Sequence, residues 1–148
     1  MPNRPNNTST GWSSTFNLDH SQCFLISMGF HPSVQIKPAG QKDSCVVTRS
    51  NFKNLYWTLT QQLAQHTING CNLRPGDLLG TGTISGPEQD SLGCLLELTW
   101  NGQKPLSLNG TTRSFLEDGD EVTFIGCCKG DGYNVGFGTC TGKILPAP

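Results

Sequence analysis

A single acidic residue, Glu97, stands inside an apolar run, Leu95-Leu96-Glu97-Leu98, just after a turn lined by Gly, Thr and Ser. A carboxylate flanked by leucines is costly to bury unless something pairs with it. The ordinary alternative is a solvated Glu on the outer face of an antiparallel sheet, because Glu is rarely buried unpaired. Other residues of the right types are less telling. Glu88-x-Asp90 places two carboxylates in a Gly-Pro loop, where they read as solvated turn residues rather than metal ligands. His66 falls in the last turn of an expected helix, where a cation suits the helix dipole, so capping or packing is its expected role. His20 and His31 receive no role. No G-x-S-x-G elbow, H-E-x-x-H pair or P-loop occurs.

The seven cysteines, at 23, 45, 71, 94, 127, 128 and 140, form no C-x-x-C pair and no zinc-type spacing. They are expected to be reduced and unreactive, as in a cytosolic protein. Asn6, Asn7 and Asn109 stand in formal glycosylation triplets, which carry no meaning in that compartment. Three G-x-G-x-x-x-G arrays, beginning at Gly80, Gly130 and Gly136, lack the spacing of a dinucleotide fingerprint. In strand-like sequence such glycines mark bulges, corners or close backbone approach.

The elements that must position these residues follow from periodicity. Val34-Gln35-Ile36 alternates like a strand, with Ser44–Thr48 as its neighbour. Phe52, Leu55, Tyr56, Leu59 and Leu63 form one apolar stripe, predicting a helix capped by Ser50 and stopped by Asn69-Gly70. After Leu73 the expectation is β throughout. Arg74-Pro75-Gly76-Asp77 reads as a turn, Leu78–Ile84 as a Gly-broken strand and Cys94–Trp100 as a cleaner one. In that second strand Leu95, Glu97 and Thr99 would share one face. Asn101-Gly102 then reads as a hairpin turn, Lys104-Pro105 as the start of an edge segment, and Asp118-Gly119 as the turn into Asp120–Cys127. Val122, Phe124 and Cys127 are the candidate core of that last strand. Such a chain is mainly β with one helix, an α+β class.

Composition sets outer bounds. The chain has 148 residues, 34% hydrophobic and 14% charged, both low for a self-sufficient domain. A net charge of −1, with basic residues scattered, excludes the usual nucleic-acid footprint. Cys23–Phe30 is too short to span a membrane and no secretory signal is credible. Residues 1–30 are rich in Asn, Ser, Thr and Pro at their start and are expected to be disordered or weakly held.

The blocks GTISGPE and LLELTW resemble the carboxy-terminal part of the fumarylacetoacetases. The resemblance continues upstream through SNFKNLYWTLTQQLAQHTINGCNLRPGDLL and downstream through FLEDGDEVTFIGCCKGDGYNVGFGTCTGKILPA. It runs from about residue 50 to 147, extends more weakly over 32–49, and is absent from 1–30. It therefore implies an unmatched segment, 1–30, and a partial catalytic domain, 31–148, of mixed β-roll architecture. The implied activity is hydrolytic cleavage of a carbon–carbon bond in 4-fumarylacetoacetate, giving fumarate and acetoacetate in tyrosine and phenylalanine breakdown. In that chemistry a His deprotonates water, a Glu orients the His, and Mg²⁺ or Ca²⁺ steadies the leaving carbanion. Glu97 matches the orienting Glu, and Thr83 matches a Thr that contacts the diketo diacid substrate. The family works as a cytosolic homodimer. Its catalytic His and metal ligands match nothing in this chain, so the resemblance implies a partial polypeptide, missing material on its amino side and inactive alone. The alternatives are a non-catalytic fragment that docks onto or misassembles with full-length subunits, or another diketone or acylpyruvate hydrolase of the superfamily.

Overall fold

The computed structural model describes residues 29–148. Strand β1, Phe30–Lys37, pairs antiparallel with β2, Cys45–Arg49, as the alternation around Val34 implies. On its other side β1 runs antiparallel to β5, Glu121–Lys129, in unbroken register from Phe30↔Cys128 to Lys37↔Glu121. Lys37 and Glu121 close that ladder with an ion pair of 2.7 Å. Strand β6, Asn134–Lys143, folds back on β5, giving the order β2-β1-β5-β6. Pro32 is tolerated in a central strand because β2 has ended opposite it. Its carbonyl accepts the N–H of Ser50, so the amide it lacks would face the place where the chain leaves the sheet.

A two-stranded ribbon, β3 (Leu106–Leu108) and β4 (Thr111–Arg113), turns on Asn109-Gly110, both with positive φ. This is the Asn-Gly hairpin geometry that the sequence analysis places at Asn101-Gly102. Helix α1 spans Leu59–Thr67, and a single helical turn, α2, spans Leu95–Leu98. The described part is thus mostly β-sheet with one main helix, as expected. The apolar core is small: Ile36, Leu98, Leu108 and Cys128 are its buried hydrophobic residues.

Polar pairing compensates for that small core. Asp120, fully buried, accepts two hydrogen bonds from Arg113, Nε to Oδ2 at 2.9 Å and Nη2 to Oδ1 at 3.1 Å. Its carboxylate also takes the backbone N–H groups of Ala39 (2.8 Å) and Glu117 (3.0 Å). Its own backbone is bridged to the chain after β6, with Ile144 donating to the Asp120 carbonyl. One residue therefore joins the end of β1, the end of β4, the turn before β5 and the exit of β6.

Several expectations are corrected. The helix does not start after Ser50. Asn51 caps a short 3₁₀ turn, Phe52–Asn54, and α1 begins only after Thr58, whose side chain accepts from the Gln61 N–H while Gln61 reciprocates. That Thr-x-x-Gln capping box is legible in the sequence and outcompetes the longer stripe. Tyr56 and Trp57 consequently point to solvent, and no residue of α1 is buried. Leu78–Ile84 is irregular rather than a strand, because Gly80 and Gly82 interrupt it, the latter at φ +78, and no partner strand lies alongside. Cys94–Trp100 is not a strand: Leu95–Leu98 is a helical turn, with Cys94 extended before it and Trp100 turning at φ +50 after it. The sheet is built from β1, β2, β5 and β6 rather than from residues after Leu73 alone. Phe124 is exposed, and Cys128, not Cys127, is the buried residue of β5. Phe30, placed with the amino-terminal segment from sequence, begins β1, while the expectation of disorder for residues 1–28 lies outside the described residues. The two later Gly arrays behave as expected: Gly138, at φ +76, accompanies the irregular register between β5 and β6.

The Asp120 carboxyl is held at about 2, first by the Arg113 hydrogen bonds and then by the Glu117 and Ala39 amides, against a burial effect that works the other way. A depressed carboxyl stabilises the fold above its unfolded value near 4, and that contribution, about 2 kcal/mol, disappears as pH falls towards 2. Asp120→Asn should cost ~3–5 kcal/mol at neutral pH, since it leaves a buried guanidinium with only the exposed Glu117 as an ion partner. It should also flatten the acid dependence of stability between about pH 4 and pH 2. Denaturant unfolding followed by circular dichroism across that range measures both. A loss below about 1 kcal/mol would contradict the central role given to the pair.

Candidate functional site

Glu97 and its surroundings are assembled by three short segments rather than by two neighbouring strands. The loop through Thr83, Ile84, Ser85 and Gly86 is fixed to the end of β2, where buried Ser50 donates its Oγ to the Ile84 carbonyl at 3.0 Å. Buried Thr48 likewise donates to the carbonyl of Asp90, anchoring the 3₁₀ turn Gln89–Ser91. The amide of Gly86 bonds the Ser91 carbonyl at 2.9 Å, so the loop and that turn close on each other. From there the chain passes Gly93 and enters α2, with Cys94 at the cap position.

The helical turn is what gives Glu97 its environment. Leu and Glu are good helix formers, and a run this short and apolar is ambiguous by periodicity alone. In a strand, Gly93 and Glu97 would lie about 13 Å apart. In α2, Glu97 is the third helical residue and its carboxylate folds back on the start of the turn. Oε2 accepts from Ser85 Oγ at 2.7 Å, from the Gly93 N–H at 3.2 Å and from Cys94 Sγ at 3.3 Å. Ser85 Oγ also accepts from the Gly93 N–H at 3.0 Å, so the serine is held while it donates to the acid. The Cys94 N–H also favours the charged carboxylate, while the three contacts just given all fall on Oε2 and none on Oε1. The Ser85 hydrogen bond, aided by Cys94 and Gly93, holds the carboxyl below the ordinary Glu value, with partial burial opposing it. Glu97 is thus an ionised, half-buried carboxylate with one oxygen locked and the other open.

Thr83 is exposed, and its hydroxyl has no hydrogen-bond partner among the described residues. It is linked to Glu97 through Gly93. A Cβ on that glycine would lie 2.5 Å from Thr83 Cγ2 and 2.7 Å from the Ile84 carbonyl oxygen. Only glycine lets the start of α2 pack so closely on the Thr83 loop while giving its amide to Glu97. The two residues singled out from sequence therefore flank one glycine. Ser85, Gly93 and Cys94, which fix the acid, are not singled out from sequence, because their role depends on the helical turn. Buried Thr99 closes that turn, donating to the Leu95 carbonyl and accepting from the Gly102 amide. Glu88 and Asp90 do not converge with Glu97. Among the described residues no three His, Cys, Asp or Glu side chains could hold a metal ion together. No helix among them is long and apolar enough to cross a membrane.

Residues 32–144 match the family described as fumarylacetoacetate (FAA) hydrolase C-terminal, well over half of the chain. The chain belongs to the FAA hydrolase family. It is similar to the fumarylacetoacetase of Arabidopsis thaliana, at 84% identity over 115 residues, covering 78% of this chain and 27% of that relative. Similarity to the fumarylacetoacetase of Oryza sativa subsp. japonica is 72% over 114 residues, covering 77% and 27% respectively. For the human fumarylacetoacetase it is 59% over 131 residues, covering 88% and 31%. This FAA hydrolase chain thus spans less than a third of the length of those relatives.

Ser85→Ala should raise the Glu97 carboxyl towards the ordinary Glu value, because the largest lowering influence is removed and the opposing burial remains. Carbon-detected NMR titration of the Glu97 side chain measures this, and an unchanged titration would show that Ser85 does not set the charge of the acid. Gly93→Ala should destabilise the chain by ~1–3 kcal/mol through overpacking against Thr83 and the Ile84 carbonyl.

Proposed function

We propose that this chain supplies the carboxy-terminal part of a fumarylacetoacetase active site, hydrolysing the carbon–carbon bond of 4-fumarylacetoacetate. The observation that carries the reading is the state of Glu97, ionised, with Oε2 anchored by Ser85, Gly93 and Cys94 and Oε1 open. A carboxylate of that kind can hold an imidazole in one tautomer and orientation and stabilise it when it takes a proton. It is poorly suited to take the proton itself at neutral pH, because its affinity for protons is lowered. Its hydrogen-bond partners among the described residues include no imidazole, so the reading assigns the base to a segment beyond them. Thr83, with a free hydroxyl beside glycine amides, is assigned to a carboxylate tail of the diketo diacid.

The resemblance also implies Mg²⁺ or Ca²⁺. Hard cations need several converging oxygen ligands, and the described residues do not fit such a site. The cation is assigned to the same outside segment as the base. A cytosolic homodimer acting in tyrosine and phenylalanine breakdown is part of the same proposal. The position of β6 at the sheet edge, with all ten residues exposed, favours a second reading, a non-catalytic polypeptide that docks by this edge onto longer relatives. That reading predicts co-elution with the Arabidopsis enzyme.

The test is made in the Arabidopsis fumarylacetoacetase, at the positions aligned with these residues. Replacing the counterpart of Glu97 by Gln should lower kcat ~10²-fold or more with little change in KM, because orientation of the base matters in the transition state. Replacing the counterpart of Thr83 by Val should act mainly on KM. A Gln variant with near-normal kcat would overturn the role of Glu97. The present chain alone is expected to show no consumption of the diketone with or without Mg²⁺.

A further inference from the structure

The thiol of Cys71 lies 3.4 Å from Nε2 of His66. Two features of the helix end create this contact. His66 occupies the last turn of α1, and Gly70, at φ +86, reverses the chain just beyond it. The Asn69 side chain then accepts the Cys71 N–H at 3.2 Å, pinning the residue so that its side chain returns over the helix. Both residues are exposed. Beside them runs a groove of about 1060 Å³ between α1 and the Leu78–Thr81 segment, walled by Trp57, Leu59, Leu63, Ile68, Leu78 and Leu79, with His66 in its lining. Three other described cysteines differ. Burial pushes the Cys128 thiol up and shields it. The Cys94 thiol donates to Glu97. Cys140 is exposed on β6, and among the described residues no imidazole bonds it.

We propose that Cys71 and His66 form a reactive thiol site that takes α,β-unsaturated carbonyl compounds carrying an apolar substituent. A thiol is activated when a base within hydrogen-bond reach can take its proton, and a neutral imidazole at this distance is such a base. His66 Nε2 takes the proton from Sγ as sulfur attacks the β-carbon of the acceptor. The S–C bond forms, the C=C pair moves to give an enolate, and the imidazolium returns the proton to the α-carbon. Nothing leaves and no oxidant is needed. The apolar groove accounts for the preferred substituent, and the solvent exposure of both residues gives access. It goes beyond the expectation from sequence that His66 caps or packs its helix end and that the cysteines are unreactive.

The full 148-residue chain is treated with limiting N-phenylmaleimide at neutral pH, and adduct at Cys71 and Cys140 is followed by peptide mass spectrometry. Cys140, also exposed and with no base bonded to it among the described residues, is the internal reference. Cys71 should react ~10-fold faster than Cys140, and His66→Gln should bring it down to the Cys140 rate while leaving Cys140 unchanged. In denaturant the two rates should converge. Replacing the phenyl probe by N-ethylmaleimide should shrink the ratio. A Cys71 rate at or below that of Cys140 in the unmodified chain overturns the proposal whatever the variant does, as does an unchanged ratio in His66→Gln.

Discussion

The buried pair of Arg113 and Asp120 is the constraint on which the rest of the described structure depends. With so few buried apolar residues, the sheet cannot rely on a deep core, and the ends of its strands must be fastened by other means. Asp120 does this by accepting four hydrogen bonds from three directions while fully buried. A buried ion pair is not by itself a strong source of stability, because desolvation offsets much of the attraction. Its value here is directional. The bidentate fork and two amides fix where β4 ends relative to β5, and the backbone of Asp120 fixes where the chain after β6 returns.

That fastening reaches the site through β1 and β2. Asp120 bonds the amide of Ala39, just past the end of β1, and β1 holds β2 in register. The end of β2 then offers Thr48 and Ser50 to the two loops that cradle Glu97. Irregular segments are thus located by buried hydroxyls on a regular element, a common way of placing functional groups on loops without letting them move freely. Glu97 adds a local device, since the single turn α2 folds one carboxylate back on the Gly93 amide just before it. The positive φ values at Trp100, Asn101 and Gly102 that end this turn are the conformational cost of stopping it so sharply.

Much of this was legible in the residues and some was not. β1 and β2 follow from local alternation, and the stop of α1 follows from Asn69-Gly70. The start of α1 does not follow as directly, because the apolar stripe beginning at Phe52 masks the Thr58–Gln61 capping box that sets it. The hairpin at Asn109-Gly110 competes with the same dipeptide at Asn101-Gly102, because the short apolar run before Asn101 is ambiguous between helix and strand. Glu97 stands out by its chemistry and resemblance, but its partners do not, because Ser85 and Gly93 approach it only when Leu95–Leu98 is helical. Asp120 reads from sequence only as the start of the strand after Asp118-Gly119. Its pairing with Arg113 depends on a hairpin that local sequence does not align with the following turn.

The central claim is that this chain carries the carboxy-terminal share of an FAA hydrolase site in working geometry. Its most direct test is transplantation: the 115 residues that match the Arabidopsis fumarylacetoacetase replace their counterpart in that enzyme, and hydrolysis of the diketone is followed at saturating substrate. The account predicts a folded chimera with kcat within ~10-fold of the parent, since Glu97, its three anchors and Thr83 are all present. A chimera that folds and assembles like the parent but turns over ~10³-fold more slowly would contradict it.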